Sequence, residues 1–345
     1  MILISWIVII ISLGFLVAFH EFGHYGIARL LGMKVVKYSI GFFKPIFSWT
    51  SQKTGTIYQI GALPLGGFVQ VKGMNPFEEG AFTDSDSYQM FSPWKRSLVI
   101  VAGPIANLLI AWLVVFALKG ISGYPEELNE AGVGKLVPEA PAEQVGLETG
   151  DRILSINDVK VTTFDDVVEQ IGKNGGKKTA LLIQRDGRRF PVTITPEDQG
   201  GVGKIGVYPP TRTVRVPMGE AARFATLKCI QVLGDTLGAL WGMITRTRDD
   251  VQASGPPKIL KEAKVQFDYG PTYFLSFMSF ISLMLFLFNL LPVPALDGGR
   301  TVFLLYEVIT RKRVNKKFDA MVNTAFFFLL VTLLVIISVK EIFFG

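Results

Sequence analysis

Histidine and cysteine are almost missing from this chain: its 345 residues include two histidines, His20 and His24, and one cysteine, Cys229. A single cysteine excludes an internal disulfide and a thiolate zinc cluster within one chain, and it reads as a small buried apolar residue. Charge is missing from the start of the chain. No charged side chain occurs between Met1 and Phe19, a run close to the roughly 20 helical residues that cross a bilayer. Nor is there a clustered basic and aromatic face. The formal net charge of +6 is spread over separate loops, which argues against nucleic acid as a partner.

Apolar residues are abundant. They make up 49% of the chain, with 27 phenylalanines, and the mean hydropathy is +0.39; such values suit a membrane protein rather than an ordinary soluble domain. Four segments are long and apolar enough to cross a bilayer: 1–19, 97–118, 273–291 and 321–339. The first has no Lys or Arg before Arg29 and no small-residue cleavage site after it, so it reads as a retained span and not a signal peptide. Orientation follows from the basic residues of the short loops. Arg300, Arg311, Lys312, Arg313, Lys316 and Lys317 follow the third span, and Lys34, Lys37, Lys44, Lys53, Lys72, Lys95 and Arg96 follow the first. Both loops are therefore expected in the cytoplasm, with the long segment between spans two and three outside it.

That long segment, 119–272, changes character. "GLETGDRILSINDVKV" (146–161) precedes a helical stretch, "TFDDVVEQIG", and two alternating runs joined at Asp186-Gly187, a strong hairpin signal. The order strand, tight turn, strand, helix and hairpin resembles a PDZ domain, a class that binds extended peptides or chain ends by adding a strand to its sheet. A small α+β domain that only shields the membrane part fits the same order. In 219–247, Phe224, Leu227, Val232, Leu237, Leu240 and Ile244 recur near helical spacing, while Lys228, Asp235 and the arginines at its end disfavour a full span. An amphipathic helix on the membrane or against the soluble domain fits, as does an ordinary helix packed on a core.

The chemistry-bearing stretch is "AFHEFGHYGIARLLG" (18–32). On a helix, residues four apart share a face, so His20 and His24 can reach one metal ion. In H-E-x-x-H the histidines hold Zn²⁺ and the glutamate, here Glu21, takes the proton of an activated water. Such a pattern arises by accident in on the order of one chain in a hundred of this length. Here both of the chain's histidines fall inside it, at the end of an apolar run where ionisable groups are costly unless they serve a site. Zinc in a hydrolytic site takes three protein ligands, so the third must be a carboxylate or Cys229. The cysteine lies in the outside segment. Asp297 in "FNLLPVPALDGGR" (288–300) stands directly after the third span, on the side reached by the end of the first. Pro292 and Pro294 break the helix there, and Gly298 and Gly299 permit close backbone approach. An Asp-Gly-Gly turn that merely leaves the membrane is the plain alternative.

HEFGH, "NLLPVPALDGG", "GPIAN" (103–107) and a PDZ-like insertion together resemble the site-2 protease family of intramembrane zinc metalloproteases, and most of all its regulator-of-sigma-E protease branch. That resemblance implies a polytopic α-helical membrane protein of about four spans, with a membrane-associated β-hairpin and an inserted α+β PDZ-like domain. The expected division is a membrane half over 1–118, the PDZ-like domain over 119–212, a helical connector over 213–270 and a second membrane half over 271–345. By position, His20, His24 and Asp297 become the zinc ligands, Glu21 the catalytic base and Asn289 a substrate-binding residue. "TGTIYQIGALPLGGFVQVKG" (54–73), with Gly66 and Gly67, corresponds to a β-hairpin that re-enters the membrane and offers a strand edge to an unwound substrate; an ordinary cytoplasmic hairpin is the plain reading. The implied substrates are single-span membrane proteins of the anti-sigma factor or remnant signal peptide type. The implied setting is the bacterial inner membrane, with the lipid bilayer as a partner and peptide chain ends as ligands of the PDZ-like domain. Two departures stand out. Many relatives carry tandem PDZ domains and only one is legible here, and "SGPPKI" (254–259) keeps only Gly255 and Pro256 of a common "SGPVGI"-like stretch.

Overall fold

The computed structural model describes residues 2–122, 124–245 and 255–344. Its first helix, α1, spans Ile2–Leu30 and closes at Gly32, whose φ of 84° suits a glycine after a helix end. The helix runs well past Phe19, so HEFGH lies within it and not at its end. Two long antiparallel strands follow, β1 (Val35–Thr50) and β2 (Ile57–Val71). Val35–Ile40 face Gly67–Val71, whereas Pro45–Thr50 face Ile57–Gly61. Lys37–Ile40 also face Ile57–Ile60 with residue numbers that rise together, because both strands double back on themselves. The bends fall at Gly41 (φ 87°), Phe43 (φ 67°) and Gly66 (φ 121°). The hairpin expected over 54–73 therefore contains only its second strand. "FFKPIF" in β1 carries a proline and no alternation, which hides a strand from a period-of-two reading.

Helix α2 spans Pro93–Ala117, with proline at its start and Pro104 inside it. It crosses α1 very closely: a Cβ on Gly23 would stand 2.2 Å from the Ala102 carbonyl oxygen. Small residues allow such approach between apolar helices, where packing and not the hydrophobic effect holds the pair.

A separate compact unit, Ser122–Val216, follows. It contains β3 (Tyr124–Glu127), β4 (Lys135–Leu136), α3 (Pro141–Gln144), β5 (Arg152–Ile156), β6 (Val159–Lys160) and α4 (Phe164–Gly172). Next come β7 (Thr179–Arg185), β8 (Arg188–Ile194), β9 (Glu197–Gln199), β10 (Val202–Lys204), β11 (Val207–Tyr208) and β12 (Thr211–Val214). Four strands pair in the order β6-β5-β7-β8. Asp186 and Gly187, both at positive φ, turn β7 into β8, the backbone that Asp-Gly favours in a two-residue hairpin loop. Val167 and Ile171 of α4 pack on Ile153, Ile156, Leu181 and Ile183 of the sheet. A capping box starts α4: the Thr163 hydroxyl accepts from the Asp166 amide while the Asp166 carboxylate accepts from Thr163. Those backbone amides of Thr162 and Thr163 hold the Asp166 carboxyl down at about 2.

The described residues after Val216 are mostly helical: α5 (Met218–Thr245), α6 (Pro256–Tyr269), α7 (Pro271–Leu290), α8 (Asp297–Thr310) and α9 (Lys316–Phe344). Among the described residues four helices, α1, α2, α7 and α9, are long and apolar enough to cross a membrane. The connector helix α5 packs on α2 and α7, where buried Cys229 meets Ala111 and Leu283 and the Trp112 indole donates to the Thr226 hydroxyl (3.0 Å). Apolar spacing alone left its docking face open. The arginines that follow Thr245 lie outside the described residues.

Gly23→Ala lowers the thermal denaturation midpoint of the detergent-solubilised protein, because its methyl meets a backbone carbonyl. Gly26→Ala in the same helix meets nothing within 4 Å and gains up to about 1 kcal/mol of helix propensity. A thermal scan in which the two variants shift together contradicts the close crossing.

Candidate metal centre

Three acceptor atoms converge where α1, α2 and the start of α8 meet. His20 Nε2 and His24 Nε2 lie 3.2 Å apart, and Asp297 Oδ2 is 3.2 Å from the first and 3.3 Å from the second. Both histidines are buried. Among the described residues this is the one group of three or more His, Cys, Asp or Glu side chains able to hold a metal; Cys229 is not part of it.

The outer nitrogens fix what the inner ones can do. His24 Nδ1 is 2.8 Å from the Val99 carbonyl oxygen, which only accepts, so Nδ1 carries the proton and Nε2 is bare. His20 Nδ1 lies 3.1 Å from Asn107 Nδ2, while Asn107 Oδ1 is buried without a partner. With the Asn107 amide turned so that Oδ1 faces His20, that oxygen gains the donor it lacks by accepting from His20 Nδ1. His20 Nε2 is thereby bare as well. Asp297 Oδ2 is also buried and lacks a hydrogen-bond donor. A carboxylate oxygen and two imidazole lone pairs thus face one another across about 3.2 Å.

A divalent cation resolves this repulsion. An equilateral face of that edge corresponds to a tetrahedral bond of roughly 2.0 Å, the length for zinc with nitrogen and oxygen ligands. The donor set therefore fits zinc.

Close backbone contacts bring the three together. A Cβ on Gly103 would stand 2.2 Å from His24 Nε2, so α2 can press against the site only with glycine there. Between α7 and α8 the chain wraps tightly over its own glycines. Cβ atoms on Gly298 and Gly299 would meet the Leu291 and Val293 carbonyls at 2.1 and 2.4 Å. Ala295 holds a φ of 71°, and its N–H donates to Asn323 Oδ1 of α9 (2.8 Å). Buried Ser282 of α7 donates to the Asn107 carbonyl (2.8 Å).

Glu21 follows His20 on α1 and faces β2, where its Cγ lies 3.2 Å from the Cβ position of Gly67. Gly66 lies under the Phe42 ring, 2.0 Å from its Cβ position, and its positive φ excludes other residues. Asn289 is half-buried in the last turn of α7, with no hydrogen bond to the other site residues. The sequence reading missed the supports: Gly103 and Asn107 were visible in "GPIAN", but nothing in one sequence says that they touch the histidines.

Asn107→Ala leaves His20 without its orienting acceptor and weakens zinc binding by about 10- to 100-fold, the usual effect of losing such a partner. Gly103→Ala removes zinc altogether. Metal content after dialysis against graded chelator measures both; unchanged retention in Asn107→Ala contradicts the amide assignment.

Comparison with known proteins gives the family. The family model described as Peptidase family M50 matches residues 8–333. A Clostridium acetobutylicum protein is 31% identical over 339 residues, covering 97% of this chain and 96% of that one. Zinc metalloprotease RasP of Geobacillus kaustophilus is 29% identical over 418 residues, covering 98% and 97%. Regulator of sigma-W protease RasP of Bacillus subtilis is 27% identical over 422 residues, covering 98% of each chain. The chain is a zinc metalloprotease of the membrane, and it belongs to Peptidase family M50, the site-2 protease family.

Proposed function

We propose that this chain cleaves peptide bonds in or near the apolar segments of single-span membrane proteins, with zinc held by His20, His24 and Asp297 and with Glu21 as the base. The observation that carries this reading is the triad of bare acceptors on helices that are themselves long and apolar enough to span. A site buried among such helices is reached most directly by a substrate that is already in the bilayer.

Zinc, when bound, supplies Lewis acidity to the scissile carbonyl and to the attacking water. Glu21 takes the proton of that water and returns it to the leaving amine, general base first and general acid afterwards. Asn107 and the Val99 carbonyl keep both imidazoles turned with Nε2 inward. A helical substrate hides its carbonyls in internal hydrogen bonds, so it must unwind before the attack. Gly66, Gly67 and the strand beyond them lie beside Glu21, and among the described residues no third strand pairs with β1 and β2. That free edge accepts the unwound segment by strand addition, and the unpartnered amide of Asn289 binds its backbone. The exposed apolar side chains of Phe43, Ile46, Phe47 and Trp49 on the same hairpin suit a sheet that dips into lipid.

The basic loops after spans one and three support a site toward the cytoplasmic side of a bacterial inner membrane, with the inserted unit outside. There the inserted unit excludes substrates whose external part is still bulky, so that cleavage follows an earlier cut. Anti-sigma factors and remnant signal peptides are the substrate types that meet this description.

Glu21→Gln abolishes cleavage of a membrane-embedded reporter in detergent while zinc stays bound, whereas Asp297→Ala loses zinc. Full cleavage by Glu21→Gln with zinc in place removes Glu21 as the base. Mass spectrometry of the products locates the cut, and a cut far outside the apolar segment makes the enzyme a membrane-anchored protease of loops instead.

A further inference from the structure

Glu21 is held against the β2 edge by a closed ring of contacts, and one link of that ring is a single hydroxyl. Glu21 Cγ lies 3.2 Å from the Cβ position of Gly67, and the backbone amide of Val69 meets its carboxylate. Gly67 is seated as tightly on β1, its Cβ position 2.7 Å from the Ser39 carbonyl oxygen, and Val69 faces Tyr38 across the ladder. The Tyr38 hydroxyl then donates to the Ala18 carbonyl of α1 (2.7 Å). About one turn of helix leads from Ala18 back to Glu21. The remaining links are backbone or close packing.

The Tyr38 ring packs edge-on against Tyr25, with centroids 5.5 Å apart, and lies 6.2 Å from that of Tyr58. Its hydroxyl is near enough to the Glu21 carboxylate to feel its charge. The hydroxyls of Tyr25 and Tyr58 bond to each other (2.6 Å), which makes a second tie between α1 and the hairpin. It falls about one turn after Glu21, as the Ala18 carbonyl falls about one turn before it. The two ties are not equivalent. Tyr38 belongs to the segment of β1 that pairs directly with Gly67–Val71, whereas Tyr58 lies on the far side of that segment. Buried Ser39 stiffens the same segment, since its hydroxyl donates to the Gly41 carbonyl (2.9 Å) and accepts from the Gln59 side chain (3.0 Å).

We propose that Tyr38 is a positioning residue for hydrolysis: through the Ala18 carbonyl it fixes the height of the Gly67–Val71 edge along α1, and so decides which peptide bond of an added strand faces Glu21 and the metal. The inference rests on the strand-addition reading given above. Two frames of reference meet at this site. An added strand is registered by its hydrogen bonds to the edge, whereas the histidines and Glu21 are carried by α1. Neither frame determines the cut unless the two are tied. Successive residues of a strand stand about 3.3 Å apart, and a misplacement of about 1 Å at a reacting centre costs on the order of 100-fold in rate. A ring without a hydroxyl fills the same space but supplies no directional bond to the helix.

Tyr38→Phe in the full-length detergent-solubilised protein tests this. The variant keeps the ring packing and the Tyr25–Tyr58 tie, so it folds and retains zinc. On a membrane-embedded reporter its kcat per bound zinc falls about 10- to 100-fold with KM unchanged, and the cut, at one main bond in wild type, spreads to neighbouring bonds. Thr56→Val is the control. It removes another buried hydroxyl, one that donates to the Val35 carbonyl (2.8 Å) inside the hairpin, and it lowers the thermal midpoint while leaving kcat and the cut as in wild type. A wild-type kcat and a single cut in Tyr38→Phe overturn the proposal. So does an equal spread of the cut in Thr56→Val, which makes the Tyr38 hydroxyl one of several that merely stabilise the hairpin. Photo-crosslinking to Glu21→Gln protein, with the probe moved residue by residue along the reporter, reads the register without catalysis: one probe position meets α1 when Tyr38 is present and several do in the Tyr38→Phe background. That pattern without any wild-type cleavage retires the proteolytic reading and keeps the positioning role; wild-type cleavage with the same pattern in both backgrounds does the reverse.

Discussion

Two imidazole nitrogens and a carboxylate oxygen, all stripped of donors and about 3.2 Å apart, cannot stay together in an apolar surrounding without a cation between them. Much of the rest of the fold serves to maintain that arrangement. The protons of both imidazoles must be drawn to their far sides, so an acceptor has to stand behind each ring. The Val99 carbonyl does this for His24 and the Asn107 amide for His20. The carboxylate must arrive on the near side, so the chain between α7 and α8 folds over Gly298 and Gly299 so closely that a methyl group on either would strike a backbone carbonyl.

These demands explain what one sequence discloses and what it hides. HEFGH is legible because its spacing is local: four residues on one helix share a face whatever surrounds them. Asp297 is legible because a lone carboxylate beside two prolines and two glycines has few other reasons to end an apolar run. Asn107 and Gly103 are not, since their roles depend on how α2 crosses α1, and a crossing leaves no periodic trace in either strand of text. For β1 the reason is different: its outer half, "FFKPIFSW", exposes every side chain, so neither alternation nor burial marks it as a strand. The docking of α5 through Cys229 was hidden because a half-apolar helix suits a membrane surface and a protein groove equally well.

A membrane site for proteolysis must expose backbone in surroundings where backbone is normally sealed. Non-helical chain at membrane depth is tolerated only where protein or water satisfies it. Here the irregular stretch from Leu291 to Leu296 is satisfied by Asn323 and by turns of its own, while β1 and β2 satisfy each other on all but their outer edges. Two outer edges remain, that of Pro45–Thr50 and that of Gly67–Val71, and the second runs beside Glu21. An edge of this kind is a liability in water, and its place beside Glu21 is what supports the proposed binding of an unwound chain.

The helix that contributes no ligand organises the centre. Through Val99 and Gly103, α2 sets His24; through Asn107 it sets His20. Through Arg96 it holds Glu307 of α8, the helix that begins with Asp297. Arg96 is 3% exposed, and removing one member of a buried ion pair costs about 3–5 kcal/mol because the other charge is left uncompensated. The pair thus holds α8 against α2, where a small shift would spoil three distances near 3.2 Å. Helices α1 and α8 come from opposite halves of the chain, on either side of the inserted unit, and no ligand is close in sequence to those of the other half. A single helix that grips both halves is what converts two distant motifs into one site.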